Sequence, residues 1–528
     1  MERVRGRLVP VVWLACAALV SVLVAGAFAR FSIEGWGFTY VLDFGETIGL
    51  PRVERAQGLP IYVHEGVDGY DAQFYAQLAL DPMLGDPRLE ESIDSLQYRA
   101  RRFLMGWSSW VIGGGDPWRV LNVFACFNLG TWFGLGVVLL RWCSPSRPED
   151  FLRWCGVMLS AGMLGSLRHA LTDGPALLAL AWAALLVEQR RPWLAALAGT
   201  LAPLTRETAV LGTGVLAPVD WRSVRAWLIA GARGAVMVVP LAAWIFYVHH
   251  QTGGGVSDGA GHRNLALPFV GYAGRWVELV EAWSVAATPW VVAGVLGHVG
   301  VSVQALWVIA RPRWTSVWWR IGAVHVVLLA ILGQAVWEGY PGAAMRVLLP
   351  LTLAFNLLVP RGRVGLALLV VGNLSVLAGI REMAPPPRPI WAIVQDEPSQ
   401  DARDWPVRVS FGRGFYAAET SGKDSWRWTA DEAVARIENV RGASIPVALR
   451  LAVNARGPRS VEIVADGEVV WRGEVGTERS VVDTGPFRVP AGGTEVVVRS
   501  GAVDFAPGDT RPLGVRVFRL EVVVDPSP

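Results

Sequence analysis

Long apolar runs constrain this chain more than any motif does. Residues 8–30, 118–141, 225–248, 284–309, 317–336, 343–359 and 363–380 are each almost free of charge and approach or exceed the roughly 20 residues needed to cross a bilayer core. With 52% hydrophobic and 18% charged residues among 528, the chain is not an ordinary soluble enzyme. The first run follows MERVRGR and ends in AFARF. Its length, and the lack of a small-x-small site before an evident mature start, favour a retained helix over a cleaved signal peptide.

Net charge is only +3, so no nucleic acid or other bulk polyanion is called for as a partner. The placement of the arginines says more. MERVRGR, RWCSPSRPED, EQRRPW, DWRSVRAW, RPRWTSVWWR and PRGRVG all fall between apolar runs, and arginine-bearing loops stay cytoplasmic. If all six are inside, then 31–117 is a large periplasmic loop, 249–280 a medium one, and everything after about 381 is periplasmic. That bookkeeping requires two short helix pairs, 151–168 with 174–187 and 192–204 with 208–218, tipped by LTDGP and LTRET. The second pair could equally be one long helix. The expected count is about eleven crossings of a bacterial inner membrane, with a cytoplasmic amino terminus. Cys16, Cys126, Cys143 and Cys155 lie in or beside these runs and form neither a disulfide framework nor a metal-ligand spacing.

Three regions follow: a transmembrane domain over 1–383 containing the loop 31–117, a Pro-rich linker over 384–403, and a β-domain over 404–528. The loop is too long to be a plain connector. Within it AQFYAQLALDP reads as an amphipathic helix, and SIDSLQYRARRFLMGWSSWVIG as a second that sets Arg99 and Arg102 on one face. Both would lie along the membrane surface, with Trp107 and Trp110 at headgroup depth. In the last region VALRLAV, SVEIVADGEVVWRGEV, RSVVDTG, TEVVVRS and GVRVFRLEVVV alternate with period two between Gly-, Asp- and Pro-rich turns, the pattern of an all-β antiparallel sandwich.

Charges at membrane depth are costly unless they line a polar cavity. His169 and Asp173 sit at one hairpin tip, Arg206 and Glu207 at the other, and Glu338, Tyr340 and Arg346 at the head of a later run. The loop adds Asp68, Asp71, Arg99, Arg101 and Arg102. The topology puts all of them on the periplasmic side. Carboxylates can take a proton from a hydroxyl, and arginines can hold a departing phosphate.

GYDAQFYAQLALDP, QYRARRFL, LTDGPALLALAWAALL, APLTRETAVL and MRVLLPLTLA together resemble the hallmark strings of bacterial membrane proteins of the GT-C superfamily of lipid-linked glycosyltransferases. The resemblance covers about residues 60–360 and implies a GT-C-like helical fold. It implies a polyprenyl-phosphate-linked sugar donor and a glycan, lipid or protein acceptor. Asp71 is the implied general base, with Asp68 as alternative. Arg99, Arg102, Arg206 and Arg346 are the implied donor-phosphate groups, supported by Tyr75, His169, Asp173 and Glu207. The chain departs from the pattern at Ala72, at Asp173, and at Met105-Gly106, where Leu-Pro is usual. The resemblance makes no cofactor certain and leaves open a divalent cation, Mg or Mn. The β-domain resembles sandwich domains appended to bacterial glycosyltransferases, through Glu419, Trp426, Trp428, Asp509 and Arg511. It carries the expectation that these residues bind glycan.

Plainer roles stand beside each of these. Asp71 is well placed to cap the helix that follows it. Arg206 and Glu207 can form an ion pair at their tip, and alternating Trp426 and Trp428 suit a core as well as a binding face. A lipid-linked glycan translocase, or a non-catalytic membrane scaffold, would account for the same helices.

Overall fold

The computed structural model describes all residues except Met1, 34–35, 65–66, 254–261, 339–342, 386–389, 394–406, 422–423, 440–443, 506–509 and 525–528. Two compact units emerge. One comprises Met1–Phe31, Phe38–Gln57 and Val63–Pro385, and the other Ser32–Gly37, Gly58–Tyr62 and Pro386–Pro528.

The first unit is helical. Val9–Ala29, Pro117–Leu139, Val224–Gln251 and Pro289–Ala310 are long and apolar enough to cross a membrane, and Arg363–Gly372 with Ser375–Glu382 makes a fifth if that pair, bent by 46°, is one span. Among the described residues the other apolar helices, Glu207–Leu216, Val317–Ile331 and Leu349–Leu358, are shorter, so four or five helices have the length and composition of a crossing where eleven were expected. Local chemistry fixes many starts. Asp116 accepts the Arg119 backbone N–H at 2.9 Å with Pro117 as the first helical residue. Thr288 and Ser316 cap their helices in the same way, each supplying an acceptor to a donor that has no intrahelical partner.

The two short pairs are more broken than expected. The first resolves into Pro148–Met158, Ala161–Arg168 and Asp173–Glu188. The second runs Pro192–Gly199, Leu201–Thr205 and then a 3-10 stretch Glu207–Leu216, so 192–218 is neither one long helix nor a plain hairpin. Arg206 is extended at the break, with φ −148° and ψ 119°.

The segment between the first two long helices departs furthest from a surface layer. Ala72–Leu80 is buried at all nine positions, so it is not an interfacial amphipathic helix. Its two glutamines explain why burial is tolerated. Gln73 accepts from the Gly45 N–H and donates to the Asp68 carbonyl, and Gln77 accepts from the Val53 N–H. Both satisfy loop backbone that would otherwise be left unpaired. The second expected helix breaks into Leu89–Ser92, Leu96–Arg99 and Leu104–Ile112. The last crosses Ala72–Leu80 closely, since a Cβ on Gly106 would lie 3.3 Å from the Ala79 Cα. That contact gives a reason for glycine at this departure from the resembled pattern.

Gly69 sets the approach to Asp71. Its φ is +77°, and an added Cβ would meet the Asp43 carbonyl oxygen at 2.3 Å. Alanine there is strained twice over, by a left-handed backbone and by that contact. Gly69→Ala is expected to destabilise this segment by about 1–3 kcal/mol. Earlier proteolytic cleavage within 31–117 is the readout, and an unchanged cleavage profile would contradict this account of the turn.

The second unit is β-rich. One sheet orders Glu468–Val475, Arg459–Ala465, Thr494–Ser500, Glu432–Asn439 and Val407–Phe411. The other centres on Ile445–Ala455 beside Val515–Val524, and every pairing named for the two is antiparallel. Alternation does the sorting: Val447, Leu449, Leu451 and Val453 are buried on one face of their strand. Asp466 and Gly467, at φ 52° and 81°, form the two-residue turn between Arg459–Ala465 and Glu468–Val475, the left-handed geometry that matches strand twist.

Candidate functional site

A cavity of about 810 Å³ opens within the helical unit. Its lining combines the charged and polar Asp71, Asp94, Tyr98, Arg99, Arg101, Arg102, Arg206, Glu207 and Arg346 with the apolar Leu265, Leu328, Leu332, Ala335, Val336 and Val347. Four stretches far apart in sequence supply the charges: Asp71, residues 94–102, Arg206 with Glu207, and Arg346.

Asp71 precedes Ala72–Leu80 but does not cap it. Its backbone is already helical (φ −49°, ψ −35°) and its side chain makes no cap hydrogen bond. Arg99 Nη1 instead donates to Asp71 Oδ1 at 2.7 Å. Burial alone would raise the Asp71 pKa, but Arg99, Arg346 and Arg102 outweigh it and hold the carboxyl at about 2. Arg99 also grips Asp94 through two hydrogen bonds of 2.9 and 2.7 Å. Arg102 makes a two-pronged pair with Glu207, at 2.6 and 2.5 Å, and donates to the hydroxyls of Tyr98 and Tyr75. Asp173, only 1% exposed at its side chain, lies 2.5 Å from Arg206 and 3.3 Å from Arg346. Arg346 further donates to the Tyr70 hydroxyl.

Adjacent Arg206 and Glu207 therefore do not pair with each other. The extended backbone at Arg206 sends the two side chains apart, Glu207 to the 31–117 segment and Arg206 to the start of Asp173–Glu188. Of the residues singled out from sequence, Asp71, Arg99, Arg102, Arg206, Glu207 and Arg346 line one cavity, and Tyr75 and Asp173 brace them from behind. Asp68 stands apart: it is exposed and accepts from the Thr47 hydroxyl at 2.5 Å. Tyr340 lies outside the described residues.

His169 also belongs elsewhere. It meets Asp43 Oδ2 at 2.6 Å through Nδ1 and Glu382 at 3.3 Å through Nε2, while Arg168 and His64 approach the other Asp43 oxygen. Burial would raise the Asp43 pKa, yet His169, Arg168 and His64 keep it at about 2. The Tyr70 ring, 5.5 Å from that of His169, stands between this cluster and the cavity. Sequence reading missed Asp43, Arg168, Glu382 and Tyr70. It also assigned no role to Asp94 or Tyr98; Asp94 is five residues from Arg99, outside the i,i+3 and i,i+4 spacings by which a helical pair is recognised.

Among the described residues no group of three or more His, Cys, Asp or Glu side chains is placed to hold a metal ion. The neighbours of Asp71 are guanidiniums, which repel a cation, so the donor set does not fit Mg or Mn.

In the β-unit, Trp426 Nε1 donates to Glu419 at 3.1 Å and Arg511 donates to the other Glu419 oxygen at 2.8 Å. The Arg516 guanidinium covers the rings of Trp426 and Trp428 at 4.8 and 4.5 Å. Trp428 is buried and serves the interior of the unit. Asp509 lies outside the described residues.

Fold and site together define a chain with a helical, apolar amino-terminal region, a β-sheet-rich carboxy-terminal region and an arginine–carboxylate cavity in the former. No protein-family model matches it, and no curated protein matches it in sequence. Among solved structures, a family 35 carbohydrate-binding module from Clostridium thermocellum aligns at 14% identity with a TM-score of 0.17, covering 26% of this chain and 98% of that one. The GH26-CBM35 β-(1,4)-mannanase of Podospora anserina aligns at 9% and 0.17, covering 23% of this chain and 28% of that one. Arabinosyltransferase EmbB from Mycobacterium smegmatis aligns at 12% and 0.24 over 96% of this chain, which spans 64% of that protein. Scores this low do not establish a common fold.

Proposed function

We propose that this chain is an integral membrane glycosyltransferase that moves a sugar from a polyprenyl-phosphate donor to an envelope acceptor on the periplasmic side of the membrane. The carrying observation is the mixed lining of one cavity, where an arginine–carboxylate cluster and a set of apolar side chains border the same space. A lipid phosphate has the same duality. Its isoprenoid end lies against apolar side chains, while guanidiniums take the charge that grows on the leaving phosphate.

In the reaction the acceptor hydroxyl oxygen bonds to the anomeric carbon from the face opposite the phosphate. The bond from that carbon to the phosphate oxygen breaks, the polyprenyl phosphate leaves as an anion, and Asp71 accepts the hydroxyl proton. Arg99 occupies one Asp71 oxygen; no hydrogen bond among the described residues occupies Oδ2, which leaves it to face the acceptor. At a pKa of about 2 Asp71 is a weak base, so proton transfer must accompany bond formation, when the hydroxyl becomes acidic.

Purified protein in nanodiscs, given a panel of polyprenyl-phosphate sugars and candidate acceptors, is expected to release polyprenyl phosphate. Absence of release with every donor, from protein that stays folded, would count against the reading. The pH profile gives a second check. The Asp71 pKa lies below the ordinary carboxylate value of 3.8, so its basic form persists down to about pH 2. Its titration should leave kcat/KM level between about pH 5 and 8. Arg99→Gln removes the charge that lowers this pKa most and should move the acid limb upward. A limb that stays in place would separate Asp71 from the rate.

A further inference from the structure

We infer that Arg101, rather than any of its four neighbouring arginines, makes the direct contact with a phosphate group in the cavity; this rests on the reading of the cavity as a lipid-phosphate site.

The cavity wall holds five guanidiniums, and four of them are already committed. Arg99 is held by Asp94 and Asp71, and Arg102 by Glu207. Arg206 and Arg346 share Asp173. All four of these arginine side chains are largely buried against their carboxylates, so turning any of them to a ligand would break an existing ion pair. Arg101 differs. It lines the same cavity and is partly exposed, and among the described residues its side chain has neither a carboxylate partner nor a hydrogen bond. Counting Asp173 behind the lining, four carboxylates, Asp71, Asp94, Asp173 and Glu207, stand against the five arginines, which leaves the cluster one positive charge in excess. A guanidinium with no partner among the described residues, opening on a cavity also lined by apolar side chains, is the group free to offer a two-pronged hydrogen bond to phosphate oxygens.

The spacing in QYRARRFL explains the division of labour. Leu96–Arg99 ends at Arg99, and the chain then turns before Leu104–Ile112 begins. Arg102 therefore goes inward to Tyr75 and Glu207 while Arg101 stays at the cavity. Arg99 and Arg102 both donate to the Tyr75 hydroxyl, and Arg101, between them in the chain, does not.

The test uses the full-length protein in nanodiscs with farnesyl phosphate as probe, farnesol as its uncharged control, and inorganic phosphate as a competitor. Wild-type protein is expected to bind farnesyl phosphate and not farnesol. Arg101→Gln should weaken that binding by about tenfold or more, Arg101→Lys should restore part of it, and exposed Arg225→Gln should leave it unchanged. Competition by inorganic phosphate would show that the headgroup alone suffices; its failure to compete would show that the chain and headgroup are recognised together. Either result supports the assignment when Arg101→Gln is weak. Farnesyl phosphate binding that is equal in Arg101→Gln and wild type would overturn the role of Arg101 while leaving the cavity reading intact. No binding by folded wild type would overturn the cavity reading itself.

Discussion

Asp71→Asn is expected to lower turnover of the lipid-linked donor by about a hundred- to ten-thousandfold, the usual effect of losing a general base, with the fold retained. The amide keeps the shape of the carboxylate and can still accept the Arg99 hydrogen bond through its oxygen. It cannot take a proton from the acceptor, and that step is what the change isolates. Two controls sharpen the result. Asp68→Asn should leave turnover near wild type, because Asp68 is exposed and bonded to Thr47 outside the cavity. Binding of farnesyl phosphate should survive in Asp71→Asn, since the phosphate is assigned to Arg101. Equal turnover in Asp71→Asn and wild type would discard Asp71 as the base. A scaffold would show no dependence on it at all.

Glu207→Ala is expected to cost about 3–5 kcal/mol of stability. The Arg102 side chain is 2% exposed and Glu207 is its carboxylate partner at 2.5 Å. Removing the acid leaves a buried guanidinium without a countercharge, and Tyr75 and Tyr98 hydroxyls cannot neutralise it. Because the pair ties the 31–117 segment to the Glu207–Leu216 stretch, the loss should appear as a lower thermal midpoint together with earlier proteolysis of that segment. Double replacement of Arg102 and Glu207 by apolar residues should recover much of the midpoint and none of the activity, which separates the structural part of the pair from its place in the cavity wall. If Glu207→Ala alone melts like wild type, the pair is not what fastens the segment.

The sequence by itself determined the division into an apolar helical region and a β-rich one, because both periodicities are local. A run such as 289–310 is apolar along its whole length, and 445–455 alternates residue by residue. Neither needs a partner to be recognised. It also placed charges at the two tips and in the 31–117 segment, since charge in apolar surroundings is conspicuous wherever it falls. Only the tertiary structure decided who pairs with whom. Glu207 stands next to Arg206 in the chain yet binds Arg102, 105 residues earlier, because one extended residue turns the two side chains apart. Ala72–Leu80 has a helical pattern that reads as amphipathic, yet it is wholly buried because Gln73 and Gln77 bind loop backbone from residues up to 28 positions away. Asp43 carries no local signal, and it acquires one only when His169, Arg168 and His64 converge on it. Hydrogen bonds and ion pairs act at about 3 Å between atoms whose separation along the chain is unconstrained. Periodicity reveals which face a residue occupies, and the fold alone reveals what meets it there.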